Sequence, residues 1–210
     1  SFTLLTAWHI FNQTLNEVFD ISLPQDYKMF LPKIDYKCGQ YNINPIDKLV
    51  DTSHKNVLIC NNEFGSEQAM KFDFNPIISI LADTFPEVTF YISNKSNVEK
   101  KNVVYVSDLL GECGGCDLNE ISYLSTKCDV SIGRYSGPHT FTYVKENLMN
   151  PDMKFITFSE PSNLYGNDPT KWSNFGVHMY LDKNEHAQFF NVLKYSDNER
   201  ILEICKIIGE

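Results

Sequence analysis

The stretch Gly133-Arg134-Tyr135-Ser136-Gly137-Pro138-His139 gathers a guanidinium, a hydroxyl, an imidazole and two glycines within one short run. Glycine lets a backbone approach a ligand closely, and the free N–H groups and dipole of a starting helix favour an anion such as phosphate. In that chemistry Arg134 offers a bidentate phosphate contact, Ser136 a hydroxyl and His139 a ring donor. The competing reading is a tight turn in which Ser136 is an ordinary helix cap. A second candidate is Asn61-Asn62-Glu63-Phe64-Gly65-Ser66 followed by Lys71, where Lys71 either pairs with a phosphate or is a solvated lysine. No G-x-G-x-x-G or G-K-[ST] string is present, so neither a dinucleotide fingerprint nor a P-loop is supported.

Other residues with chemical potential read more simply. Cys113-Gly-Gly-Cys116 has metal or redox spacing, but no second Cys or His pair matches it, so a glycine-rich loop is expected and no metal. His9, His54, His178 and His186 have no partner at i, i+4, as surface or packed histidines do not. Trp172 is expected to anchor its loop, and Asp108 to be a solvated or turn-capping carboxylate.

These residues need elements to position them. Residues 56–61, 88–92, 103–106, 129–133 and 153–158 are short apolar or β-branched runs that suit buried strands, with a further short strand at 177–181. Helical spacing marks 6–19, a helix after Asp73 or Asn75 with Pro76 in its first turn, and a capping box at Asp117-Leu118-Asn119-Glu120. A helix over 139–149 with Phe141, Val144 and Leu148 facing the core is expected next. Two more helices are expected to close the chain, at 185–193 and from Ser196 or Asp197 onward. This alternation predicts an α/β fold, Rossmann-like, with a mostly parallel sheet covered by helices on both faces. Ligands of such sheets bind beyond the carboxyl ends of the strands, which directs attention to 61–71, 93–101 and 134–139.

The 210 residues suffice for one sizeable core, so 1–50 is read as a helix and connector, the tail of a preceding domain, and 51–210 as the main domain. A net charge of −9 disfavours nucleic acid as a partner. No apolar run approaches the ~20 residues of a membrane span, so no transmembrane segment is expected. The six cysteines fit reduced thiols of a cytoplasmic protein, peripheral to a membrane at most.

The strand and polar loop ending in Lys71, the helix from Asp117, the segment Ile132 to His139, and Gly166-Asn167-Asp168-Pro169-Thr170-Lys171-Trp172-Ser173-Asn174-Phe175-Gly176 occur in an order that resembles one known family. That family is the heptosyltransferase-like glycosyltransferases, glycosyltransferase family 9, in the C-terminal, donor-binding half of their GT-B architecture. The resemblance implies that Lys71 meets the donor phosphates, that Ser136, Gly137 and His139 hold the diphosphate, and that Asn94 meets the nucleoside. The pattern departs at Tyr135, where the family has an acidic residue, and at His139, one position earlier than the family's histidine.

The function so implied is transfer of a sugar from a nucleotide-sugar donor to a glycan or lipid-linked acceptor. No further cofactor is expected, and the catalytic base, unknown here, would belong to an N-terminal half not contained in this chain. The alternatives are a non-catalytic nucleotide or sugar-phosphate-binding module and a sugar-nucleotide epimerase.

Overall fold

A computed structural model describes residues 4–21, 31–37, 42–62, 72–110, 118–134, 137–158, 186–192 and 197–210. Its centre is a sheet of six parallel strands: β1 (Asn56–Cys60), β2 (Thr89–Ile92), β3 (Val103–Tyr105), β4 (Val130–Arg134), β5 (Lys154–Phe158) and β6 (Gln188–Val192). Their spatial order is β3-β2-β1-β4-β5-β6, so the direction of winding reverses between β1 and β4. Interleaved are helices α1 (Leu4–Phe19), α2 (Asn44–Leu49), α3 (Asn75–Thr84), α4 (Val106–Leu110), α5 (Leu118–Ser125), α6 (Gly137–Thr140), α7 (Lys145–Leu148) and α8 (Asp197–Gly209). Among the described residues no helix is long and apolar enough to cross a membrane.

Period-two alternation divides each strand between two faces. Val57, Ile59, Phe90, Ile92, Val130, Ile132, Ile156 and Phe158 point to one face, where α3 and α8 cover them with Ile77, Ile78, Leu81, Ile201, Ile204 and Ile208. Leu58, Cys60 and Tyr91 point to the other, under Leu109, Leu110, Ile121 and Leu124 of α4 and α5. With both faces buried, the strands are near-continuous apolar runs, which is why they were legible. Farther along this second face Phe155 and Phe189 pack with Tyr143, Leu148 and Met153.

Several expectations are corrected. Residues expected as a helix over 185–193 instead form β6, which pairs with the open edge of β5 and places Phe189 and Phe190 on opposite faces of the sheet. An edge offering unpaired backbone groups outweighs a helical reading of a short run rich in aromatic residues. The single helix expected over 139–149 is broken into α6 and α7. Thr142 causes the break: its N–H and its hydroxyl both bond back to the His139 carbonyl, at 3.1 and 2.6 Å, competing with helical hydrogen bonding. Consequently Phe141 is exposed and Tyr143 takes the core position instead. Val106 begins α4 rather than ending β3, and the connector before β1 contains α2, with Pro45 in its first turn. The expected strand at 177–181, Asp117, Ser196, Trp172 and the cysteines Cys113 and Cys116 lie outside the described residues.

The last helix is docked through its carboxyl end. Lys55, just before β1, and Lys154, at the start of β5, donate to the carbonyls of Ile208 and Ile207 at 2.7 and 2.9 Å. Cations at a helix C-terminus meet both its free carbonyls and its dipole. Replacing either lysine by Met is expected to lower unfolding free energy by about 0.5–1 kcal/mol, measured by urea denaturation.

Candidate functional site

The winding reverses between β1 and β4, and at the carboxyl ends of these two strands, the edge where ligands of such sheets bind, Cys60 is paired with Gly133. Asn61 and Asn62 leave β1 there, Ser93 and Asn94 leave β2, and Arg134 ends β4.

On the β1 side the Asn61 carboxamide acts as an extra rung of sheet. It donates from Nδ2 to the Asn94 carbonyl at 2.9 Å and accepts the Asn94 N–H at 2.8 Å. The Ser93 hydroxyl donates to the carboxamide oxygens of Asn61 and Asn62 and accepts the Asn61 N–H at 3.2 Å. The loops after β1 and β2 are therefore tied together, and Asn94 is held by its backbone with its side chain exposed.

Arg134 lies on the α3/α8 side, because alternation along β4 places it with Val130 and Ile132. Its guanidinium is buried and donates through Nη1 to the carbonyls of Asn61 and Asn62, at 3.2 and 2.8 Å, and through Nη2 to that of Phe72. The rings of Phe74 and Phe72 stand 4.6 and 4.9 Å from its central carbon, an arrangement that stabilises a desolvated cation. Thus Arg134, expected as a phosphate contact, holds together the chain leaving β1 and the chain arriving at α3.

His139 lies on the opposite face. Its ring sits against Gly133, so close that a Cβ built on that glycine would stand 2.6 Å from both its Cβ and its Nδ1. The ring centroids of Tyr143 and Phe155 are 5.3 and 6.1 Å away, and Nε2 lies 3.3 Å from the Tyr143 hydroxyl, itself 3.2 Å from Thr157 Oγ1. Nδ1 is buried without a hydrogen-bond partner. A neutral ring protonated on Nε2, donating to Tyr143 and leaving only a lone pair at Nδ1, costs least. Burial pushes the His139 pKa down to about 3.

The residues singled out from the sequence therefore separate. Arg134 and His139 project to different faces, and both are buried. Gly137, by contrast, opens α6 at the surface, with nothing within 4 Å of the place a Cβ would take. Lys71 and Ser136 lie outside the described residues. Sequence reasoning missed Phe72 and Phe74, whose rings stand over the Arg134 guanidinium, and Arg200 and Phe158, which pack against Phe72. The alternation Phe72-Asp73-Phe74 just before α3 was the available signal, since it placed two rings on one side of an extended segment. Cys60 and Cys128 are buried and in no disulfide, and burial raises the Cys128 pKa, so Cys128 is not poised as a nucleophile.

Sheet order and parallel pairing define a doubly wound, all-parallel α/β protein of Rossmann-like class. No protein-family model and no curated protein sequence matches the chain. Among solved structures it is similar to the crystal structure of the glycosyl transferase family 9 from Veillonella parvula DSM 2008, with 14% identity and a TM-score of 0.37. The similarity covers 75% of this chain and 42% of that one, so this chain matches less than half of that protein's length.

Two outcomes follow from the Gly133–His139 contact. Gly133→Ala forces the imidazole or the strand to move and is expected to cost about 1–3 kcal/mol of stability in urea denaturation, as overpacking does. His139 stays neutral in the folded chain down to about pH 3, whereas the unfolded chain protonates near its ordinary 6.5. Between these values the unfolded state binds more protons, so the contribution is complete above pH 6.5 and drains away as pH falls toward 3. About 2 kcal/mol should be lost between pH 7 and pH 5, and a His139→Leu variant should lose correspondingly less over the same interval.

Proposed function

We propose that this chain is the donor-binding half of a nucleotide-sugar-dependent glycosyltransferase, acting on a glycan or lipid-linked acceptor. The observation that supports the reading is the reversal of winding between β1 and β4, from whose carboxyl ends the chain leaves into the two segments that the order of sequence motifs marks for the donor.

In this reading the diphosphate of the donor lies at the start of α6, where Ser136 and Gly137 offer hydroxyl and backbone donors. Lys71, the residue before Phe72, supplies a positive charge. Asn94, held by its backbone and exposed through its side chain, meets the nucleoside. Arg134 contributes by holding together the chain leaving β1 and the chain arriving at α3, and His139 by supporting Gly133 from behind. An acceptor hydroxyl attacks the anomeric carbon from the side opposite the departing nucleoside diphosphate, which gives inversion. The donors and the lysine stabilise the negative charge that develops on the leaving oxygen. The base that takes the acceptor proton comes from outside the donor-binding half.

Titration calorimetry with UDP, GDP, ADP and their sugars tests this directly. One nucleotide series is expected to bind, with Lys71→Ala weakening it about tenfold, or about 1.4 kcal/mol, while thermal stability is retained. No binding by any series at millimolar concentration would exclude the proposal. Binding accompanied by release of a free epimerised sugar, rather than transfer, would select the epimerase chemistry instead.

A further inference from the structure

A buried asparagine ties α6 to α5. Asn147 belongs to α7, and its carboxamide nitrogen donates twice, to Ser125 Oγ of α5 at 2.7 Å and to the Thr142 carbonyl at 2.8 Å. A primary amide has two N–H groups, and these two bonds use both. Each partner is tied onward. Ser125 Oγ donates to the Ser122 carbonyl at 2.6 Å, while the Thr142 hydroxyl donates to the His139 carbonyl at 2.6 Å and lies 3.2 Å from Ser131 Oγ of β4. Ser122, Ser125, Ser131 and Thr142 are buried as well.

The bonds therefore run from α5, through Asn147, to the break between α6 and α7, and from the break into α6. There the Gly137 carbonyl accepts the Phe141 N–H at 3.0 Å and the His139 carbonyl accepts the Thr142 N–H at 3.1 Å. α6 has four residues, too few for a helix to hold its own shape in water. Its placement is set from outside, by His139 against Gly133 and by the Asn147 amide at its carboxyl end. Asparagine suits the position because leucine, close to it in shape, brings no donor, and an aspartate carboxylate only accepts.

We propose that Asn147 is a positioning residue for the donor's diphosphate: by bonding α5 to the α6–α7 break it holds α6, and Gly137 with it, in the place that receives the phosphates. It acts by removing backbone freedom before binding, not by touching the ligand. The inference rests on the function proposed above, in which the diphosphate lies at the start of α6.

The test uses the full chain with Asn147→Leu and Ser125→Ala; S125A removes a single hydroxyl and supplies the comparison if N147L does not fold. Amide hydrogen exchange reads the link without ligand: the N–H groups of Phe141 and Thr142 should exchange at least about tenfold faster in N147L. Binding then separates positioning from general support of the fold. For whichever nucleoside diphosphate the wild type binds, N147L should raise Kd about tenfold and S125A at least about threefold, while the matching nucleoside, which lacks phosphates, keeps its Kd within about twofold by ligand-observed NMR. The double variant should bind no worse than N147L, since both changes break one link.

Unchanged exchange at Phe141 and Thr142 in the folded variants overturns the proposal. Equal weakening of diphosphate and nucleoside also overturns it, because Asn147 would then support the whole domain rather than the phosphate end. If the diphosphate binds equally to wild type and variants, the donor-half reading stands and the positioning role is rejected. If the wild type binds no nucleoside diphosphate, the donor-half reading fails and the positioning role fails with it.

Discussion

Parallel pairing of β1 with both β2 and β4 is the constraint on which the rest of this structure depends. A strand hydrogen-bonded on both edges has its backbone satisfied along its length, so Val57, Leu58, Ile59 and Cys60 can all be buried, on alternating faces. Because the chain winds away from β1 in opposite directions on its two sides, α3 after β1 and α6 after β4 lie on opposite faces of the sheet. Polar loops can then converge without burying an unsatisfied backbone. The Asn61 carboxamide shows how far this is taken, continuing the β1–β2 ladder with a side chain where the strands themselves have stopped.

The two sides of that edge are stabilised by different chemistry. On the α3/α8 side a buried guanidinium is held by neutral carbonyls and aromatic faces, an environment that suits arginine because its charge is delocalised and weakly hydrated. On the α6/α7 side the core is polar: Ser131, Thr142, His139, Tyr143 and Thr157 are all buried, with Ser131 and Thr142 hydroxyls 3.2 Å apart. Asn147 joins this layer to α5, donating to Ser125 Oγ at 2.7 Å and to the Thr142 carbonyl at 2.8 Å. Such a network specifies one arrangement of α6 and α7, helices too short to be stable by themselves. The cost is sensitivity to acid, since a neutral imidazole is built into it.

Legibility followed the size of the local signal. The strands β1, β4 and β5 and the helix α3 were readable because buried parallel strands and an apolar helical stripe leave dense, periodic patterns. β6 was not, because Gln188-Phe189-Phe190-Asn191-Val192 becomes a strand only when the edge of β5 is there to pair with it. The break between α6 and α7 was hidden in the choice of Thr142, whose hydroxyl competes for a carbonyl in a way periodicity does not register. At the candidate site the glycines were read for a ligand's close approach, whereas the structure sets Gly133 against the His139 ring, a packing contact that sequence spacing does not register.

What the sequence determined by itself was the class of fold and the order of its central strands along the chain, since both follow from alternation and from where polar loops interrupt apolar runs. Only the tertiary structure decided what each polar residue does at the strand ends. Adjacent positions on a strand point to opposite faces, so Gly133 came to support His139 while Arg134 turned toward Phe72, Phe74 and, through Phe72, Arg200. Residues that are neighbours in sequence thus serve different layers, and residues as distant as Phe72 and Arg200 share one contact. Burial and the partners available on each face assign those roles, and they exist only once the chain has closed.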